Sequence, residues 1–240
     1  IIPIITIIII IIIISIIIII VVIMILTIII TSLHLKAADP ERFAKGINAW
    51  TEQDKKTPPP AGLTLFVGSS SIKRWKSLKE DFPKARVLNR GFGGSWTADL
   101  LHYMDRIVLP YKPARIVVYC GENDIAHDEA AEVPFENWKI FVGRVRKVLP
   151  ETGLYYIPMK PSLKRWNLWP KYQKGNRLIQ DYCRREDITY LANIPRRMLG
   201  EDGTPFPGIF DKDKLHLNAE GYKIWVEEIR KAFEADSRKP

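Results

Sequence analysis

Cysteine is nearly missing from this sequence: Cys120 and Cys183 are the two present in 240 residues. They share no spacing motif, which argues against a disulfide framework or a cysteine-built metal site and leaves them as small core fillers. Histidine is also sparse, with His34, His102, His127 and His216 the four candidates for imidazole chemistry. Long blocks of one charge are absent too. The 36 Lys and Arg outnumber the 27 Asp and Glu, for a net charge of +9, yet the cations fall in pairs such as Arg184-Arg185 and Arg196-Arg197. Such scatter describes a solvated surface, with a functional basic patch as the alternative, and implies no nucleic-acid partner. The excess positive charge favours anionic polysaccharide or a membrane surface as partners.

No charged residue occurs in residues 1–33, where Ile dominates. The run exceeds the ~20 apolar residues that span a bilayer and the apolar core of about 7–15 residues in a secretory signal. The edge Leu35-Lys36-Ala37-Ala38-Asp39-Pro40 resembles a small-residue cleavage site, but no basic segment precedes the run. Three origins stay open: a signal peptide, an N-terminal anchor, or a translated repeat with the true start near Met24. The first two imply an exported protein (periplasmic, extracellular or membrane-anchored), with membrane association through residues 1–33. The expected organisation is an apolar leader at 1–38, an N-terminal helix and Pro-rich linker at 39–61, a catalytic domain at 62–236, and a tail at 237–240.

Internal repeats are absent, and beyond the leader the chain alternates two kinds of segment. Pro40, Phe43, Ile47 and Trp50 mark a short amphipathic helix opened by proline, and Pro58-Pro59-Pro60 stiffens the connection that follows. Leu63–Val67, Arg86–Leu88, Ile116–Cys120, Tyr155–Met159 and Ile188–Leu191 are short and rich in β-branched or aromatic residues, which predicts strands buried on both faces of a parallel sheet. Helical stripes separate them: Phe135, Trp138, Phe141, Val142, Val145 and Leu149; then Tyr172, Ile179, Tyr182 and Cys183; then Tyr222, Val226, Ile229 and Phe233 behind Asn218. Five strands interleaved with helices predict an α/β fold, a three-layer α/β/α domain on a five-stranded parallel, flavodoxin-like sheet.

Ligand sites in such sheets form at the carboxyl ends of the strands. The first three strands run there into Gly68-Ser69-Ser70-Ser71, Asn89-Arg90-Gly91-Phe92-Gly93-Gly94 and Gly121-Glu122-Asn123-Asp124; Asp213-Lys214-Leu215-His216 precedes the last helix. A serine leaving a strand for a helix presents its hydroxyl above the sheet edge, where backbone N–H groups favour a developing anion. It needs a base. Asp213 lies three residues from His216, close enough to orient the ring, and His216 can take the serine proton and return it to a leaving alcohol. Ser70 N–H, Gly94 N–H and the Asn123 side chain are the candidate oxyanion donors.

These four ordered blocks resemble the SGNH (GDSL-like) hydrolase superfamily, which includes the catalytic subunits of platelet-activating-factor acetylhydrolase. The resemblance covers residues 62–233. Relatives carry Gly-Asp-Ser where this chain has Gly68-Ser69-Ser70, which leaves three serines in play; matching the glycine puts Ser70 in the nucleophile's place. The resemblance implies a serine ester hydrolase with Ser70, Asp213 and His216 as its triad, no metal and no cofactor. The expected substrate is a small-molecule, carbohydrate or glycolipid ester with a short acyl group, O-acetyl above all.

Other readings compete. A Gly-Ser-Ser-Ser turn also serves as a helix cap, and Asp124, His127 and Asp128 could hold a metal for a phosphodiester or other metal-assisted hydrolase. A non-catalytic cell-surface module could use the same cleft to hold carbohydrate. Trp166 and Trp169, in the long segment after the fourth strand, are candidates to line the substrate cleft, with packing onto the domain as the alternative.

Overall fold

The computed structural model describes residues 12–24 and 39–236. Two units separate, one within residues 1–39 and the other from Pro40 onward. In the first, residues 12–24 form a helix; the rest of the expected leader, with its cleavage-like edge, lies outside the described residues. Among the described residues no helix is long and apolar enough to cross a membrane.

Five parallel strands form the sheet of the second unit: β1 Thr64–Gly68, β2 Val87–Gly91, β3 Arg115–Tyr119, β4 Gly153–Tyr156 and β5 Thr189–Tyr190. Their spatial order is β2-β1-β3-β4-β5. Successive strand residues point to opposite faces, and each face is covered by its own helices. Leu65, Val67, Ile116, Val118, Leu154 and Tyr156 enter one core. It is closed by α1 Ala44–Lys56, α4 Thr97–Ile107, α6 Glu132–Val148 and α7 Trp169–Arg185. Phe66, Val117 and Tyr155 enter the other. That face carries the short helices α2 Ser70–Lys73, α3 Leu78–Asp81 and α8 Asn193–Arg197, and the long α9 Ala219–Ala235. The short α5 Glu122–Ala126 follows β3 at the carboxyl edge.

The expected three layers are present, with corrections at the edges. Burial on both faces holds for β1, β3 and β4, whereas β5 and the start of β2 are half-exposed edges. β4 ends at Tyr156 rather than Met159. Ile157 still donates to the Val118 carbonyl at 2.9 Å, but Pro158 has no N–H to continue the ladder. The Asn176 amide instead bonds both main-chain groups of Met159, at 2.9 and 2.8 Å. β2 runs on to Gly91, where a side chain would meet the Lys73 backbone nitrogen at 2.4 Å.

Of the segment 39–61, set apart from 62–236 in the sequence, residues 40–61 belong to the same compact unit as the domain that follows. Ile47 is buried, and Phe43 meets Phe92 edge-on at 5.0 Å. Asp54 accepts from Arg90 at 2.5 Å and from the Tyr111 hydroxyl at 2.6 Å.

Candidate active site

At the end of β1 the chain must turn between two neighbouring strand ends. Gly68 takes φ +131°, and a Cβ there would lie 1.9 Å from the Tyr119 carbonyl oxygen, so glycine alone fits. Ser69 then donates its N–H to that carbonyl at 3.0 Å, and its own carbonyl accepts from Ile72 and Lys73, both at 3.1 Å. Ser69 thus braces the turn through its main chain; its side chain makes no capping bond. Ser69 and Ser71 are buried, and Ser70, half-exposed, faces the cleft. The Tyr222 hydroxyl donates to the Ser71 carbonyl at 2.7 Å and fixes the other side of the turn.

Asp213 and His216 arrive on a tight loop closed by an antiparallel bridge between Phe210 and Leu217. Across its base Asp211 donates to the His216 carbonyl at 2.8 Å. Lys214 takes φ +58° to complete the turn. Asp213 Oδ1 accepts the backbone N–H groups of Leu215 and His216 at 3.0 and 2.9 Å, while Oδ2 meets His216 Nδ1 at 2.5 Å. His216 Nε2 lies 2.8 Å from Ser70 Oγ. Partial burial raises the Asp213 carboxyl, but the bonds from the His216 backbone, the His216 ring and the Leu215 backbone outweigh it and hold it well below the usual carboxylate range. Arg74 adds a contact at 3.3 Å.

Ser70, Gly93, Gly94, Asn123 and His216 line one cleft of about 540 Å³. Gly94 sits at φ +82°. Asn123 Nδ2 donates to the Ser95 carbonyl at 3.0 Å and Oδ1 accepts from Arg165 at 3.1 Å. An amide nitrogen has two hydrogens, so one such bond leaves a second N–H on Asn123.

The sequence missed several partners of this centre. Lys73, Arg74, Lys76 and Arg165 also line the cleft. Arg74 stands one helical turn after Ser70, a spacing readable in advance; Arg165 carried no signal beyond its place in a long segment. Below the site Lys160 and Glu122, both buried, pair at 3.1 Å. Burial lowers the Lys160 ammonium despite the attraction of Glu122. A lysine between Met159 and Pro161, in an otherwise apolar stretch, was the available hint.

Other candidates fall elsewhere. Trp166 and Trp169 stack on each other, with centroids 6.1 Å apart, and pack against the first core; neither lines the cleft, to which their segment contributes Arg165. Asp124 is buried and accepts from the Thr97 backbone and hydroxyl. His127 Nδ1 lies 2.8 Å from the Asn123 carbonyl, and its ring packs on Trp96. Among the described residues no three His, Cys, Asp or Glu converge as a metal would need. His102 lies at the surface, 3.5 Å from Glu41, and His34 is outside the described residues.

Comparisons with known proteins bear on the fold and the family. A GDSL-like lipase from Bacteroides thetaiotaomicron superposes with a TM-score of 0.65 at 22% identity, covering 82% of this chain and 97% of that one. A Streptococcus pneumonia protein provisionally described as a platelet activating factor gives 0.69 at 20%, over 78% and 91%. A mutant of an acetyl-xylooligosaccharide esterase from Geobacillus gives 0.58 at 14%, over 73% and 96%. At these identities the likeness shows the fold. No curated protein matches the chain. Fold and family together define a hydrolase of ester bonds built on a three-layer α/β/α domain. The chain belongs to the GDSL-like lipase/acylhydrolase family, whose pattern matches residues 62–224.

Proposed function

We propose that this enzyme is a serine-dependent esterase that removes short acyl groups, acetyl above all, from small-molecule or carbohydrate esters. One observation carries the reading: Ser70 Oγ, His216 and Asp213 stand in hydrogen-bonded line, at 2.8 and 2.5 Å, on the wall of an accessible cleft.

In this mechanism His216 Nε2 takes the Ser70 proton as Oγ attacks the ester carbonyl, and Asp213 holds the ring and balances its positive charge. The Ser70 and Gly94 N–H groups, with the Asn123 side-chain amide, receive the oxyanion. Return of the proton from His216 releases the alcohol, and water then attacks the acyl-Ser70 ester by the same route. Charged side chains line the cleft, which suits a short acyl group better than a long alkyl chain. The neighbour from Geobacillus, an acetyl-xylooligosaccharide esterase, supports acetylated carbohydrate as the substrate class.

The test is a series of p-nitrophenyl esters from acetate to palmitate, with an acetylated-sugar panel and fluorophosphonate labelling. The expected result is a single adduct on Ser70 and higher kcat/KM for acetate and butyrate than for chains of twelve carbons or more. Absence of any adduct would overturn the serine mechanism; preference for palmitate below its micelle concentration would overturn the short acyl group.

A further inference from the structure

The walls of the Ser70 cleft are charged with one sign. Of its ten lining residues four are cationic, Lys73, Arg74, Lys76 and Arg165, and none is Asp or Glu. Arg74 is partly neutralised by Asp213 at 3.3 Å. Among the described residues the other three have no carboxylate within ion-pair distance, although Lys55, Lys139, Lys174, Lys223 and Lys231 elsewhere on the surface each pair with a glutamate. Arg165 spends one N–H on Asn123 Oδ1, an uncharged acceptor.

The placement of these cations follows from the fold. Arg74 donates its backbone N–H to the Ser70 carbonyl at 2.8 Å. Lys73 and Arg74 therefore lie one helical turn from the serine, on its side of the helix. Lys73 reaches the cleft beside Gly93, where its Cδ lies 3.4 Å from where a Cβ would stand. From the opposite side Lys164 donates its backbone N–H to the Lys214 carbonyl at 3.0 Å. That bond ties the Arg165 segment to the Asp213 loop and adds two exposed lysines to the flanking loops. Asp211 is the exposed acid of that loop.

Lys73, Arg74 and Lys76 are exposed and Arg165 is half-buried; gathered around one concave cleft whose lining holds no acid, such cations raise the local concentration of anions. We infer that the substrate carries a negative charge on its alcohol portion, held by Lys73, Lys76 and Arg165 while Ser70 attacks the ester. The inference rests on the short-acyl esterase reading: an acetyl group has no place for a charge, so the charge belongs to the alcohol. The shared chemistry is an anionic group, carboxylate or phosphate.

The experiment compares three acetate esters, methyl 4-acetoxybenzoate as the neutral reference and 4-acetoxybenzoate and 4-acetoxyphenyl phosphate as its carboxylate and phosphate counterparts. The quantity followed is the ratio of kcat/KM for each anion to that for the neutral ester, in the full chain and in Lys73→Gln/Lys76→Gln. Taking ratios between proteins cancels the intrinsic reactivities of the esters. The expected result is a fall of about tenfold in the double variant and a fall in the parent protein as salt shortens the screening length. Lys76→Glu should lower the ratio further. A fall confined to one anion identifies which group the cleft holds. Ratios unchanged by both variants and by salt overturn the inference, while continued hydrolysis of the neutral ester leaves the esterase reading standing. Failure to hydrolyse any of the three, with no fluorophosphonate adduct, overturns that reading and the inference with it.

Discussion

The guanidinium of Arg165 donates to Oδ1 of Asn123 across 3.1 Å and so decides which end of that amide faces inward. With Oδ1 held by a cation and Nδ2 bonded to the Ser95 carbonyl, the amide cannot flip without losing both bonds. Asn123→Ala should therefore lower kcat by about 10²–10³ with little change in KM, because the lost donor acts on the oxyanion rather than on bound ester. Arg165→Gln should lower kcat on a neutral ester by less, since the Ser95 bond remains. Steady-state kinetics on p-nitrophenyl acetate check both; a change confined to KM would make Asn123 a ground-state binding residue.

The three consecutive serines should respond differently. Ser70→Ala is expected to lose activity and fluorophosphonate labelling while its Tm stays within a few degrees. Ser69→Ala and Ser71→Ala should keep the label, because both residues are buried and it is Ser70 Oγ that lies 2.8 Å from His216 Nε2. Gly68→Ala should lose stability and activity together: the backbone conformation alone costs roughly 1–3 kcal/mol for a residue with a Cβ, and the Tyr119 carbonyl occupies the space. Peptide mapping of the labelled protein and thermal melts of the four variants decide the matter.

Asp213 is held in its ionised form by four donors, so it stays charged throughout the acid range in which an esterase can be assayed. The acid limb of the rate profile should accordingly contain no step from this carboxyl. Asp213→Asn keeps the shape but loses the charge opposite the ring, and should cost roughly 10⁴ in kcat, the scale seen when a triad carboxylate is neutralised. A pH profile of kcat/KM beside single-turnover rates for the variant measures both effects.

Asp124 behaves in the opposite sense. Burial pushes its carboxyl up to about 7, against the lowering by its bonds from Thr97. In the fold it keeps a proton that the unfolded chain has already released, so its contribution to stability is full below about pH 4 and is lost as the pH rises through about 7. Asp124→Asn should remove that decline, and the Tm difference between parent and variant should shift in the variant's favour from about pH 5 to about pH 7.5. Scanning calorimetry across that range is the check; a constant difference would show that Asp124 does not titrate there.

Much of this was legible because local signals were strong. The alternation of Leu65, Phe66 and Val67 between two cores, the stripe through Trp138, Phe141 and Val145, and the Asp213–His216 spacing are short-range patterns with one physical meaning. What escaped depends on contacts between distant segments. The end of β4 turns on Pro158, which the strand pattern ran through. The Pro40–Lys56 helical segment looked separable because its docking through Asp54 to Arg90 and Tyr111 joins residues 36 and 57 apart. Trp166 and Trp169 offered equal reasons to line a cleft or fill a core, and only their packing decides. Lys73, Lys76 and Arg165 read individually as solvated surface; their meaning lies in converging on one cavity without acids.

The serine and its base lie 146 residues apart in sequence, whereas the base and its carboxylate lie three apart. The centre is thus built from a local half and a borrowed half. The Asp213 loop is stitched by its own bridge between Phe210 and Leu217, yet Ser70 meets it only where β1 and the segment before α9 come together on the same sheet. During synthesis Ser70 emerges near the beginning of the domain and His216 near its end. The hydrogen bond between Ser70 and His216 therefore joins an early part of the domain to a late one, and cannot exist before both have been made.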